Sequence, residues 1–318
     1  MHPAARAVLL IHGGAGVIRS DMDADTRKAV CASLREALER GQACLGQGGT
    51  ALDAAVAAVA VLEDAPHFNA GRGAVFTHDG THELDAAVMD GATRGAGAVA
   101  GVGCVRNPVR LARAVMEHSP HVMLAGSGAE AFAREQGLEL ADPGYFRTEH
   151  RWQQLQQALA REPGSPGHED AQDGGHYGTV GAVARDASGG LAAATSTGGM
   201  TNKRWGRVGD SPVIGAGTYA DAQCAVSGTG WGEYFIRAAA AHAICMRVSA
   251  MRQPLREAAE EVVLRDIPQL GGDGGAIALG ADGAFAMPFN TAGMYRGWIG
   301  GDGVPHVAIF ADEEMDAR

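Results

Sequence analysis

The chain has 318 residues, 46% of them hydrophobic, and a formal net charge of −11. That is enough apolar material for one large domain or two modest ones. An acidic chain without a basic stripe is a poor match for nucleic acid, where phosphate neutralisation dominates, and for an anionic membrane surface.

Ala7 to Ile11 is a short apolar run that reads as a buried strand entering a Gly loop, His12-Gly-Gly-Ala-Gly16. It is too short for a signal-peptide core, and no stretch approaches the ~20 apolar residues that span a bilayer. Asp25 to Leu45 has helical spacing (Val30, Leu34, Leu38) and stops at Gly46, Gly48 and Gly49. Thr50 is placed to cap the next helix, Ala51 to Glu63, with Asp53 in its first turn. That helix is rich in Ala and Val on nearly all sides, so it is expected to be buried, and Pro66 ends it. A second Gly loop, Asn69 to Val75, precedes strands at Glu83–Met89 and Ala96–Cys104. Helices are expected at Val109–Glu117, Ala129–Gln136 and Glu149–Ala160.

The character then changes. Residues 161–178 hold Pro, Gly and charge and almost no apolar residue, the composition of a flexible linker. Thr179 opens an apolar run that pairs as a hairpin with Leu191–Ser196 across the turn at Asp186–Gly190. Strands at Pro212–Thr218 and Gln223–Ser227, helices at Gly232–Val248 and Leu255–Asp266, and strands at Gly275–Leu279, Ala284–Pro288 and Val304–Ala311 complete the order. Mixed strands and helices, with antiparallel hairpins in the second half, favour α+β or a layered αββα sandwich over a doubly wound parallel sheet. Five cysteines (Cys31, Cys44, Cys104, Cys224, Cys245), odd in number and without a CxxC pair, suit reduced, mostly buried thiols in a cytoplasmic setting.

The junction between linker and strand is the chemical clue. Taken alone, it reads most simply as a loop between subdomains. Its chemical reading has a definite mechanism, because a threonine hydroxyl is a weak nucleophile that needs an adjacent base. A break between Gly178 and Thr179 would free an α-amino group with a pKa near 7.7–8.0, a substantial fraction of it neutral near pH 7. Gly178 also permits the backbone distortion that an N→O acyl shift requires.

Several segments, in order, share a resemblance. They are His12-Gly-Gly-Ala-Gly16, Leu62-Glu63 with Pro66 and Phe68-Asn-Ala-Gly71, Glu83-Leu-Asp-Ala86, Met89-Asp-Gly91 and Gly178-Thr-Val-Gly-Ala-Val-Ala184. Thr195-Ser-Thr-Gly-Gly199, Thr201-Asn-Lys203, Gly206-Arg-Val-Gly-Asp-Ser-Pro212, Gly215-Ala-Gly217, Thr229-Gly230 and Gly232-Glu233 continue the series. The chain resembles the plant-type asparaginase and isoaspartyl peptidase family of N-terminal-nucleophile hydrolases. That resemblance implies an αββα fold, self-cleavage into residues 1–178 and 179–318, and a dimer of such α/β pairs. It implies hydrolysis of L-asparagine and β-aspartyl dipeptides with no catalytic cofactor. Thr179 would be the nucleophile, Thr197 the hydroxyl that tunes it, and Thr229 with Gly230 the oxyanion hole. Arg207 and Asp210 would grip the substrate's α-carboxylate and α-amine, assisted by Gly230 and the Gly232 carbonyl. Asn69 would support processing at Gly178–Thr179. The backbone carbonyls of Leu62, Glu63, Ala65, Phe68, Ala70 and Arg72 would ring a structural sodium ion. The chain departs from the family at Trp231, where many relatives carry a small or polar residue.

Other readings are weaker. His78 and His82 have helical zinc spacing but lie in a turn-like stretch without an evident third ligand, which favours a solvated turn. Gly95 to Ala100 only partly matches a dinucleotide fingerprint, and the loop after His12 lacks the ending of a phosphate loop. A nucleotide-binding module with an intact linker stands as the rival from another class. A glycosylasparaginase is a rival within the hydrolases.

Overall fold

A computed structural model describes residues 7–16, 18, 21–160 and 178–313. The linker expected at 161–178 lies outside these, apart from Gly178. In chain order the elements are β1 (Val8–Gly16), α1 (Ala24–Gly46), α2 (Ala51–Asp64), β2 (Leu84–Asp90), β3 (Ala96–Val102), α3 (Pro108–His118), β4 (Met123–Ala125), α4 (Gly126–Glu135), α5 (Pro143–Phe146) and α6 (Glu149–Ala160). After the linker come β5 (Val180–Arg185), β6 (Leu191–Thr197), β7 (Thr218–Ala220), β8 (Cys224–Gly230), α7 (Gly232–Ala238), α8 (Ala240–Ser249), α9 (Leu255–Glu261), β9 (Gly274–Gly280), β10 (Phe285–Ala286), β11 (Gly293–Ile299) and β12 (Pro305–Ala308).

The strands form two sheets, an eight-stranded one ordered β12-β11-β1-β5-β6-β2-β3-β4 and a four-stranded one ordered β10-β9-β8-β7. Side chains alternate across a strand, so each sheet offers two faces. Leu9, Ile11, Val180, Ala182, Ala184, Ala192 and Ala194 pack against α1, α2 and α3. Val8, Leu10, Val183, Leu191 and Ala193 meet Ala225, Ile277 and Leu279 of the small sheet. The other face of the small sheet, with Cys224, Val226, Ala276 and Ala278, packs on α8 and α9. The architecture is therefore the αββα sandwich expected from the sequence. No helix among the described residues is long and apolar enough to cross a membrane.

Local chemistry explains the ends of the first helices. Asp23 caps α1 by accepting from the Thr26 N–H. Thr50 and Asp53 form a reciprocal capping box on α2. The buried α2 packs on β5 and β6 of the large sheet, with α1 and α3 packed beside it, which is why its sequence shows no polar stripe.

Three expectations need correction. The strand expected at Pro212–Thr218 begins only at Thr218, because Val213 and Gly217 both donate back to the Asp210 carbonyl and curl the chain. The helix expected over Gly232–Val248 breaks at Ala239, which is left-handed at φ 46°. There the amides of Ala241 and His242 donate to Ala216 and Gly215 instead of to the preceding turn. The strand β11 was not expected at all. It is buried on both faces and carries Gly293, Arg296 and Gly297, so it shows no alternation.

By the same alternation, His12, Thr179, Gly181, Thr195, Thr197, Ser227 and Thr229 face the gap between the sheets, at one end of it. Gly181 leaves room for this polar group, since a Cβ there would stand 2.0 Å from Ser227 Oγ and 2.3 Å from His12 Nε2. Gly181→Ala is therefore expected to cost about 1–3 kcal/mol by overpacking. Thermal unfolding of this variant checks it, and an unchanged midpoint would show that the sheets separate easily here.

Candidate active site

Thr179 immediately precedes β5 and is buried, at 5% exposure. Its Oγ1 donates to Thr197 Oγ1 at 3.2 Å, and Thr197 Oγ1 also accepts from the Gly199 N–H at 3.0 Å. The Thr179 carbonyl accepts from His12 Nδ1 at 2.9 Å. A carbonyl cannot donate, so Nδ1 carries the ring proton. Burial, against the opposing bond to Thr179, pushes the His12 pKa down to about 3 and keeps the ring neutral. Nε2 is then a bare acceptor, and Ser227 Oγ donates to it at 2.8 Å. Thr195 Oγ1 lies 2.8 Å from Ser227 Oγ and accepts from Thr218 Oγ1 at 2.6 Å. A string of hydroxyls thus runs from Thr218 through Thr195 and Ser227 to His12, each in direct hydrogen bond with the next.

The peptide bond before Thr179 is held as well. The Asn69 backbone N–H donates to the Gly178 carbonyl at 3.0 Å. The Asn69 side chain ties two more strands of backbone, donating to the Gly199 carbonyl at 2.6 Å and accepting from the Val75 N–H at 2.9 Å. Gly199 is the pivot between this junction and the next cluster. It is left-handed at φ 82°, and a Cβ on it would lie 3.1 Å from Lys203 Nζ and 3.4 Å from Arg207 Nη1.

Arg207, Asp210 and Gly232 come together. A Cβ on Gly232 would stand 2.8 Å from Asp210 Oδ1 and 3.0 Å from Arg207 Nη2. Asp210 is buried, and its Oδ2 has no hydrogen-bond partner among the described residues. Burial raises its pKa to about 7 despite the Arg207 charge beside it. Burial opposes the charge of Arg207 too, but Glu233 outweighs it and holds the guanidinium firmly protonated. Oδ2 lies toward Gly217, while Oδ1 borders the space at Gly232 beside the guanidinium, a pairing of carboxyl and guanidinium that suits a ligand carrying an ammonium and a carboxylate.

Thr229 is on β8 and faces the same gap. Its Oγ1 accepts from the Ala15 N–H at 3.2 Å, which leaves its own hydrogen to point elsewhere. Gly230 follows at φ 144°, packed against Asp273 and Gly274 backbone where no Cβ fits. In the carbonyl loop, a Cβ on Gly71 would stand 2.3 Å from the Glu63 oxygen, and one on Gly73 2.1 Å from that of Phe68 and 2.7 Å from that of Pro66. The Glu63 oxygen thus lies close against Gly71, and the Phe68 and Pro66 oxygens close against Gly73. The Leu62 and Ala70 carbonyls accept from the Ala65 and Gly73 amides, each leaving one lone pair.

Some candidates are placed elsewhere. His78 bonds Asn202, whereas His82 bonds the Val75 carbonyl and is buried against Phe76, not solvated as a turn residue would be. Gly97 in the glycine-rich stretch allows β3 to approach α3, where a Cβ would meet the Ala112 oxygen at 2.0 Å. The five cysteines are free, two of them buried and three half-buried.

His12, Thr195, Ser227, Lys203 and Glu233 were not singled out as site residues by the sequence reading. His12, Thr195, Lys203 and Glu233 lay in quoted motifs, but only the fold gives them partners. Glu63 was singled out for its carbonyl alone. Its side chain is buried, accepts from Ser196 Oγ at 2.6 Å and the Val109 N–H at 2.9 Å, and burial raises its pKa to about 7.

Residues 5–309 match the family model described as asparaginase. The chain belongs to the asparaginase family. Isoaspartyl peptidase of Escherichia coli is 52% identical over 314 residues, covering 97% of this chain and 97% of that one. Isoaspartyl peptidase of Salmonella typhimurium is 51% identical, covering 96% and 99%. Isoaspartyl peptidase/L-asparaginase of Mus musculus is 41% identical, covering 90% and 86%. The asparaginase family match spans both sides of the Gly178–Thr179 junction.

The folded-state pKa of Asp210 lies above its ordinary value, so the folded protein holds a proton that the unfolded chain has released. The contribution of Asp210 to stability is then present below pH ~4 and is lost as pH rises to about 7. Urea unfolding of the ligand-free protein against Asp210→Asn checks this. The stability of wild type relative to the variant is expected to fall over that interval, and a rise would mean the carboxylate is stabilised as an anion.

Proposed function

We propose that this protein is a self-activating threonine amidohydrolase that cleaves β-aspartyl dipeptides and the side-chain amide of L-asparagine. The observation that carries the reading is the Gly178–Thr179 junction. A buried hydroxyl sits against Thr197, and the carbonyl it would attack is held by the Asn69 N–H. The names of the relatives favour the same substrates.

In the first stage Thr179 Oγ1 attacks the Gly178 carbonyl carbon and the acyl group passes from nitrogen to oxygen. Water then hydrolyses the ester, leaving a Gly178 carboxylate and a free Thr179 amine. That amine becomes the general base for its own hydroxyl. The substrate's zwitterionic end seats with its α-carboxylate on Arg207 and its ammonium on Asp210 and the Gly232 carbonyl. Thr179 Oγ1 adds to the side-chain carbonyl as its proton moves to the amine. The oxyanion takes the Thr229 hydroxyl and the Gly230 N–H. The Thr179 ammonium returns a proton to the leaving amine, and water releases aspartate from the acyl-enzyme. The Thr197 hydroxyl steadies the attacking oxygen throughout, and His12 holds the Thr179 carbonyl so that the new chain end stays in place.

The backbone carbonyls of Leu62, Glu63, Ala65, Phe68, Ala70 and Arg72 would hold a structural sodium ion that stiffens the loop carrying Asn69. The active unit is read as residues 1–178 with 179–318, paired into a dimer of such units.

On a denaturing gel the purified protein is expected to give two fragments meeting at Gly178–Thr179, while Thr179→Ala gives a single 32.6 kDa band and no turnover. Splitting or turnover in that variant would reject the assignment, and one intact band from purified wild type without turnover would favour the nucleotide-binding rival. Arg207→Ala is expected to split normally but to raise KM for asparagine by about 100-fold, since a charged hydrogen-bonded pair is lost; unchanged kinetics would remove Arg207 from the substrate grip.

A further inference from the structure

A guanidinium has two forks, Nε with Nη2 on its side and Nη1 with Nη2 at its end. In Arg207 the side fork is taken. Nε donates to Glu233 Oε1 at 2.9 Å and Nη2 to Glu233 Oε2 at 2.8 Å. The end fork lies against glycine backbone. A Cβ on Gly209 would stand 2.9 Å from Nη1, and one on Gly232 3.0 Å from Nη2, in the same place where it would meet Asp210 Oδ1. The end fork and Asp210 thus border one space, which side chains at these glycines would fill.

Glu233 is itself held from a second side. The Trp231 indole hydrogen-bonds its carboxylate, and although burial works against the charge, Arg207 keeps the Glu233 pKa below its ordinary value. The indole in turn stands edge-on to the Tyr234 ring, with centroids 5.1 Å apart. The Trp231 backbone N–H is anchored on the Asp273 carbonyl at 3.0 Å. Glu233 is 46% exposed in its side chain, so the ion pair contributes little to stability. Its effect is geometric, because two hydrogen bonds to one fork fix the plane of the guanidinium and aim the other fork.

We propose that Trp231 and Glu233 form a brace that orients the Arg207 end fork toward the substrate's α-carboxylate. Glu233 is a positioning residue and Trp231 its support, and the pair sets selectivity for substrates with a free α-carboxylate. This rests on the reading of Arg207 and Asp210 as the substrate grip. The opposite arrangement is a plug, in which Glu233 competes with the substrate for Arg207. The two make opposite predictions. Removing a brace loosens binding, whereas removing a plug tightens it.

The test compares wild type, Glu233→Gln and Trp231→Phe, each as the full-length purified protein, on L-asparagine and on asparagine amide, whose α-carboxylate is a neutral carboxamide. Glu233→Gln is expected to split normally and to raise KM for asparagine about tenfold with kcat within about twofold. Its kcat/KM on asparagine amide is expected to stay within about twofold of wild type. Trp231→Phe keeps the ring contact with Tyr234 and loses only the N–H, and a rise in KM of about threefold is expected. An unchanged or lowered KM in Glu233→Gln overturns the brace while leaving the hydrolase reading intact. Equal losses on both substrates, or a fall in kcat as large as the rise in KM, also overturn it, because they mark general damage. Should Glu233→Gln fail to fold, an unchanged KM in Trp231→Phe overturns the brace alone. A wild type that neither splits nor acts on asparagine brings down the hydrolase reading and the brace with it.

Discussion

A hydroxyl buried between two apolar sheets must find its hydrogen bonds inside the protein, since an unmet one costs on the order of 1–3 kcal/mol. Seven inward positions at one end of the sandwich carry His12, Thr179, Gly181, Thr195, Thr197, Ser227 and Thr229, and the string running from His12 through Ser227 and Thr195 to Thr218 meets that demand. At one end the string meets His12, whose tautomer is fixed by the Thr179 carbonyl, while Thr197 takes the Thr179 hydroxyl. Thr179 thus has both its side-chain oxygen and its own carbonyl restrained.

The Asp210 carboxyl obeys the reverse logic. It is buried with Oδ2 unmet among the described residues, and burial raises its pKa to about 7. Arg207 beside it is already paired, through its side fork, with Glu233. Gly199 joins this cluster to Thr179, with its N–H on Thr197, its carbonyl on Asn69, and its missing Cβ leaving room for Lys203 and Arg207.

Much of the fold was legible because its signals are local. The α1 and α2 helices carry their caps and stops within a few residues, and the hairpin β5–β6 announces itself by two apolar runs and an Asp-to-Gly turn. What escaped is what distant contacts override. The break at Ala239 exists because the start of α8 donates to residues 215 and 216, and β11 hides because burial on both faces erases alternation.

The sequence by itself determined where the family's motifs lie. The abrupt change from linker composition to a buried strand at Thr179, and the ordered motifs around it, depend only on neighbouring residues. Only the tertiary structure decided how these groups are held. His12 reaches Ser227 across 215 positions, Asn69 reaches Gly199 across 130, and Glu233 reaches Arg207 across 26. No local pattern encodes such pairs, because they arise from the register of strands and the stacking of two sheets, and a buried polar atom is served by whichever group that stacking brings within about 3 Å.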